Sequence, residues 1–208
     1  MSAAGVYVDG VARDGSGEVR AIVDPASGEL VADLVYDGAF PAVLDLGEWT
    51  KGQQARFVAA FAEQLYQRCR RPLHLVLDEA DAFVPQQVQP DQARMVGAID
   101  VLVRRGRARG LGCTLITQRS AVVNKNVLSQ VETLIALRTI APPDVKVLED
   151  WLRHHDDGGK RDELLSTIAT LPIGTAWVWS PGWLEVFARV PIRRRTTFDS
   201  SATPKVGE

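Results

Sequence analysis

The chain has 208 residues, of which 46% are hydrophobic and 24% charged, enough apolar material for one well-buried domain and too little length for two ordinary ones. No stretch approaches the roughly 20 apolar residues of a membrane span, and the N-terminus MSAAGVYVDG lacks the basic and apolar regions of a signal peptide. These features point to the cytoplasm, and Cys69 and Cys113, without ligand-like spacing, read as reduced structural thiols. The net charge of −2 divides unevenly: residues 1–50 carry two Arg against nine Asp and Glu, leaving the remainder at +5. A basic body suits contact with phosphate, although solvated faces give similar imbalances.

Residues 1–40 open with the turn signals DG, DGSG and DPASG and the short apolar runs Val6 to Val8 and Ala21 to Val23, a pattern of hairpin or loosely ordered material. Glu29 to Tyr36 suits a short helix. Ala42 to Leu46 is the first strand expected to join a sheet. From Thr50, an N-cap residue type, Phe57, Phe61 and Leu65 recur every fourth position to Arg70, which predicts an amphipathic helix. Leu73 to Glu79 (LHLVLDE) reads as a strand buried on both faces that delivers two carboxylates at its end. Ala82 to Pro90 is expected to be loop, and Asp91 starts a helix with Met95, Ile99 and Leu102 on its buried side.

Leu111 to Thr117 is the next strand, Asn124 to Gln130 a short helix and Thr133 to Leu137 a further strand. Pro142 and Pro143 open a helix to about His155, since proline is tolerated where the N–H would be unpaired anyway. Arg161 to Thr170 follows as a helix. Ala176 to Ser180 and Leu184 to Val190 form an antiparallel pair around Pro181-Gly182, and residues 196–208 are expected to be disordered. Alternating strands and helices over 41–195 predict an α/β fold with a mostly parallel sheet flanked by helices and a C-terminal antiparallel hairpin.

In open α/β sheets ligands lie beyond the carboxyl ends of the strands, where Asp78 and Glu79 would sit. A hydrophobic strand ending in Asp-Glu suits half of a nucleotide-hydrolysing site, with Asp78 holding Mg²⁺ through its water shell and Glu79 polarising a water. Thr117-Gln118-Arg119 ends its own strand in the same manner. If the strands are neighbours, Gln118 can hydrogen-bond both the attacking water and a γ-phosphate oxygen; otherwise it is a strand-end cap. Arg104, Arg105, Arg107 and Arg109 crowd a helix C-terminus. They either complement the helix dipole or supply an arginine that reaches a neighbouring subunit's site. Arg138 and Arg193 to Arg195 are weaker candidates for phosphate or DNA contacts, and His74 and His154-His155 read as structural.

Five stretches in order, LHLVLDEADAFVPQ (73–86), RRGRARGLGCTLITQR (104–119), NKNVLSQVETLIALR (124–138), PPDVKVLEDWL (142–152) and the closing AWVWSPG, resemble the P-loop ATPases of the HerA and FtsK type, in particular bacterial HerA-like DUF87 proteins. The resemblance covers roughly residues 40 to 200 and implies a P-loop NTPase (RecA-like) sheet that binds ATP and Mg²⁺. It makes Asp78 and Glu79 the Walker B pair, Gln118 the sensor, and Arg105 or Arg107 the arginine acting in trans. It further implies a hexameric ring that moves or processes DNA, with a nuclease as a candidate partner. The chain departs from this family in having no Walker A loop, G-x-x-x-x-G-K followed by Ser or Thr. DGSGEV (14–19) lacks the lysine and carries Asp14 and Glu18, and Lys51 lacks the glycine loop. The expectation is a partial P-loop ATPase domain truncated at its N-terminus and weakly active alone. The alternatives are a non-catalytic subunit that packs in a ring and lends an arginine to a complete ATPase, and an inactive fragment.

Overall fold

The computed structural model describes residues 24–38, 42–153, 159–194 and 196 in full and the backbone of 6–8 and 19–21. His154, His155, Arg195, the DGSGE segment and nearly all of the tail lie outside the described residues. The chain divides into two compact units, 1–130 and 131–208.

In the first unit, β1 (Val6–Val8) pairs in parallel with β2 (Val19–Ala21), Val6 opposite Val19. Of the two readings of this stretch, hairpin or loosely ordered material, the parallel pairing excludes a hairpin of β1 and β2, whose strands would run antiparallel. After α1 (Gly28–Gly38), β3 (Ala42–Leu44) joins the other edge of β1, also in parallel. α2 (Lys51–Arg68) begins at Thr50 with a capping box, in which the Gln53 N–H donates to Thr50 Oγ1 at 3.4 Å and the Thr50 N–H to Gln53 Oε1 at 2.9 Å. The predicted face of this helix is the buried one: Phe57, Phe61 and Leu65 lie in the core with Met95, Ile99 and Leu102 of α4 (Ala93–Arg105).

β4 (Leu73–Leu77) leads into one helical turn, α3 (Ala80–Phe83), whose second half falls in the segment expected to be loop from Ala82. β5 (Leu111–Leu115) pairs with β4 in parallel, from Leu73 opposite Leu111 to Leu77 opposite Leu115. Leu73, Leu75 and Leu77 pack on the core, but Val76 is 56% exposed and Ile116, just past β5, 45%. The strand is therefore covered on one face only, correcting the expectation of burial on both. On the open face His74 Nε2 and Thr114 Oγ1 are 2.7 Å apart, and a Cβ at Gly112 would stand 2.6 Å from His74 Nδ1, so the imidazole lies over the glycine.

Burial pushes the Cys113 thiol on β5 up from 9.0 to about 11. Because the folded pKa is the higher, stability is unaffected below pH 9. As pH rises from 9 towards 11 the unfolded chain ionises first and stability falls, by roughly 2–3 kcal/mol in all. Urea unfolding at pH 8 and pH 10.5 checks this, since the part of the loss due to the thiol should vanish in Cys113→Ala.

α5 (Lys125–Leu128), capped by Asn124, closes the first unit. In the second, β6 (Leu134–Ala136), α6 (Pro142–Arg153), α7 (Lys160–Thr167), β7 (Thr175–Ser180) and β8 (Val186–Pro191) follow in order. β7 and β8 form the expected antiparallel pair, and β6 joins β7 antiparallel rather than extending a parallel array. Trp151, Trp177 and Trp179 build this core with Leu152, Leu164 and Ile168. The fold is thus α/β, with its described strands in three small sheets, two parallel and one antiparallel, in place of the single mostly parallel sheet expected. No helix among the described residues is long and apolar enough to cross a membrane.

Candidate functional site

The parallel ladder of β4 and β5 continues past both strand ends. The Ile116 N–H donates to Leu77 O at 2.9 Å and the Ala80 N–H to Ile116 O at 2.8 Å. These bonds carry Asp78-Glu79 and Thr117-Gln118 off the same carboxyl edge, so the strands expected to be neighbours are neighbours. Glu79 has φ 52° and ψ 48°, a left-handed conformation that costs a non-glycine residue about 1–2 kcal/mol. Strain of this kind persists where the surroundings enforce it, and it often marks a functional position. The enforcement is visible in the Ala80 N–H, locked to Ile116 one residue later.

Asp78 Oδ1 accepts the Glu79 N–H at 3.0 Å. The carboxylates of Asp78 and Glu79 and the amide of Gln118 are exposed, and those of Glu79 and Gln118 have no side-chain partner among the described residues. A second tie fixes the Gln118 loop: Thr117 Oγ1 donates to Asp81 Oδ1 at 2.9 Å and accepts the Arg119 N–H at 3.0 Å. Gln118 thereby sits between Thr117, anchored to the segment that follows Glu79, and Arg119, whose N–H is bonded back to Thr117. Asp81 was not singled out in the sequence, because an aspartate two residues beyond Glu79 carries no spacing signal of its own.

The arginines sit elsewhere. They precede β5, whose five residues span roughly 16 Å, so they lie at the opposite end of the β4–β5 pair from Glu79 and Gln118. Arg109 is structural: its guanidinium donates to the Tyr66 and Gln67 carbonyls at 2.9 and 3.2 Å, capping the end of α2, and stacks 4.2 Å from the Tyr66 ring centroid. Arg104 pairs with Asp100 at 2.8 Å one turn back. Arg107 is exposed and engaged. Arg105 is exposed without a side-chain partner among the described residues. No three His, Cys, Asp or Glu side chains are grouped to hold a metal ion among the described residues.

Beside the paired strand ends runs a groove of about 570 Å³, bordered by Lys51 in the first turn of α2, Asp81, Gln86 and Gln92 of the segment after β4, and Arg119. No glycine loop accompanies Lys51 in the sequence; its position in this groove comes from the fold.

No family model matches the chain. Over 114 residues it is 32% identical to a probable DNA double-strand break repair helicase HerA of Methanocaldococcus jannaschii, a match covering 55% of this chain and 21% of that protein. The DNA double-strand break repair helicase HerA of Pyrococcus furiosus matches over 114 residues at 32% identity, 55% of this chain and 19% of that protein. The chain therefore spans about a fifth of the length of these curated relatives. Among solved structures, the genome packaging NTPase B204 of Sulfolobus turreted icosahedral virus 2 superimposes with TM-scores of 0.56 in its complexes with AMP and with ATP-gammaS. Identity is 18% and 19%, and each match covers 92% of this chain and 84% of that one. Local identity to HerA helicases, a shared fold with a packaging NTPase, and carboxylates and glutamine on adjoining strand ends agree: the chain is related to the HerA/FtsK-type P-loop ATPases.

Proposed function

We propose that the chain is an ATPase-type domain of a HerA-like DNA translocase or helicase, contributing the Walker B and sensor half of the nucleotide site. The observation that carries this reading is the common carboxyl edge bearing Asp78, Glu79 and Gln118. Asp78 would hold Mg²⁺ through water, Glu79 would orient the attacking water, and Gln118 would bond that water and the terminal phosphate. The Mg²⁺ supplies charge neutralisation to the phosphates when bound. The donors fit only half of Mg-ATP, because the sequence has no glycine-lysine loop to cradle the β and γ phosphates. Weak binding and little turnover by this chain follow, and strong hydrolysis requires phosphate donors from elsewhere in a larger assembly, a ring on DNA by analogy with the HerA type.

Titration with a fluorescent ATP analogue, with and without Mg²⁺, tests the site. Weak Mg²⁺-dependent binding should fall about tenfold or more in Asp78→Asn, as loss of an outer-shell metal partner does; equal binding by both proteins would sink the reading. Phosphate release should stay near background. Vigorous release that disappears in Glu79→Gln would instead show that the phosphates are gripped without the loop.

A second reading has one observation in its favour: Arg105 is exposed, without a side-chain partner among the described residues, at the end of the strand pair remote from its own Glu79. An arginine so placed suits a neighbouring subunit's site better than its own. On that reading the chain stimulates a complete ATPase partner, and Arg105→Ala or Arg107→Ala abolishes the stimulation.

A further inference from the structure

The antiparallel sheet of the second unit ends in a strand whose free backbone groups can be assigned residue by residue. β8 lies last in the order β6–β7–β8, so among the described strands one side of it is unpaired. The Ile192 N–H donates to Gly174 O at 2.7 Å, continuing the register in which Pro191 faces Thr175. Because antiparallel pairs alternate, Ile192, Val190, Ala188 and Val186 turn their backbone groups towards β7, and Phe187, Arg189 and Pro191 turn theirs outward. The free edge therefore offers the N–H groups of Phe187 and Arg189 and the carbonyls of all three residues, with no donor at Pro191.

The side chains of β8 sort by face as well. Phe187 stacks on Trp177 with centroids 4.6 Å apart, and the Arg189 guanidinium stands 5.3 Å from the same ring, so both lie on the core face. On the opposite face Ile135 of β6, 61% exposed, lines up through Val178 with Ala188, and Val186 and Val190 flank Ala188. β8 presents only apolar side chains there.

We propose that this edge pairs with β8 of a second copy of the chain, antiparallel about a two-fold axis at Ala188, joining two three-stranded sheets into one. In this register Phe187 exchanges both backbone bonds with Arg189 of the second copy, and Val186 lies beside Val190 on the apolar face. Pro191 falls opposite Glu185, whose φ of 53° has already left the extended conformation, so the missing N–H costs no bond. Shifting the register two residues one way sets Arg189 against Arg189, like charges directly opposite, and Pro191 against Phe187. Shifting it the other way sets Arg189 against Glu185, where the strand has ended, and leaves only Phe187 paired with itself. The register that avoids both faults also puts Arg189 beside an aromatic ring of the second copy. Proline at an edge blunts open-ended pairing; here it leaves one alignment. The contact is isologous, unlike the head-to-tail contacts that close a ring, and it does not depend on Asp78, Glu79 or Gln118.

Sedimentation velocity of the 208-residue chain over a concentration series reads the association, and disulfide formation reads the register. Wild type should form a dimer that Arg189→Pro weakens about tenfold or more, since each copy loses one outward N–H. Circular dichroism should be unchanged, because that N–H takes no part in the β7–β8 ladder. Cα atoms of an antiparallel pair without mutual hydrogen bonds stand about 4.5 Å apart, within disulfide range. Ala188→Cys should therefore cross-link to itself in oxidised glutathione, while Arg189→Cys, and wild type with its free Cys69 and Cys113, should not. Asp78→Asn should dimerise as wild type does, so failure of the nucleotide-site reading is visible separately. A wild type that stays monomeric up to about 100 μM overturns the proposal. So does association that survives Arg189→Pro and is lost in Val76→Lys, which would assign it to the open face of β4 and β5. Faster cross-linking of Arg189→Cys than of Ala188→Cys overturns the pairing about Ala188.

Discussion

Phe57→Ala is expected to destabilise the first unit by about 3–5 kcal/mol, the cost of truncating a fully buried aromatic whose cavity cannot collapse. Phe57 is 1% exposed. Its ring meets Trp49 edge-on with centroids 5.1 Å apart and stacks with Phe61 at 6.0 Å. Removing it forfeits transfer energy and both ring contacts, the latter worth about 0.5–1.5 kcal/mol each. Urea denaturation followed by far-ultraviolet circular dichroism reads the loss. A change under about 1 kcal/mol would mean that α2 does not pack as described.

Gly28→Ala is expected to cost about 3 kcal/mol, the upper end of overpacking penalties, although it adds a single methyl. Gly28 begins α1 where that helix crosses α2, and a Cβ there would press on the Phe57 carbonyl oxygen and stand 2.8 Å from the Phe61 nitrogen. Both atoms belong to the backbone of a long helix and cannot rotate away. The double variant Gly28→Ala, Phe57→Ala discriminates the cause, because truncating the Phe57 side chain leaves its carbonyl in place. The two losses should therefore add without rescue, whereas relief of one by the other would place the clash on the ring.

Much of the helical structure was legible in the sequence because its signals are local. The four-residue spacing of Phe57, Phe61 and Leu65 after Thr50 names both the helix and its buried face. Strand partners were harder, since a short apolar run carries no record of which strand lies beside it. LHLVL looked buried on both sides because leucine and valine dominate it; His74, at alternate spacing with Val76 and Asp78, was the sign that one face is open. At the site, Asp78, Glu79 and Gln118 could be named from their places at strand ends. Two features could not: the left-handed backbone of Glu79, a residue type with no preference for it, and the Asp81–Thr117 bond, which joins residues 36 apart in the chain. The arginine cluster kept two readings in the sequence and divides in the structure, with Arg109 spent on capping α2 and Arg105 left exposed.

The open face of the β4–β5 pair has a colloidal consequence. Val76 and Ile116 present branched apolar surface on a parallel pair, a kind of sheet usually covered on both faces. The chain carries a formal net charge of only −2, so long-range repulsion between copies is weak. Solutions of this protein should therefore self-associate as concentration rises, more readily near its pI of about 6.0. Light scattering against concentration at two pH values would show it, and Val76→Lys should raise the concentration at which it begins.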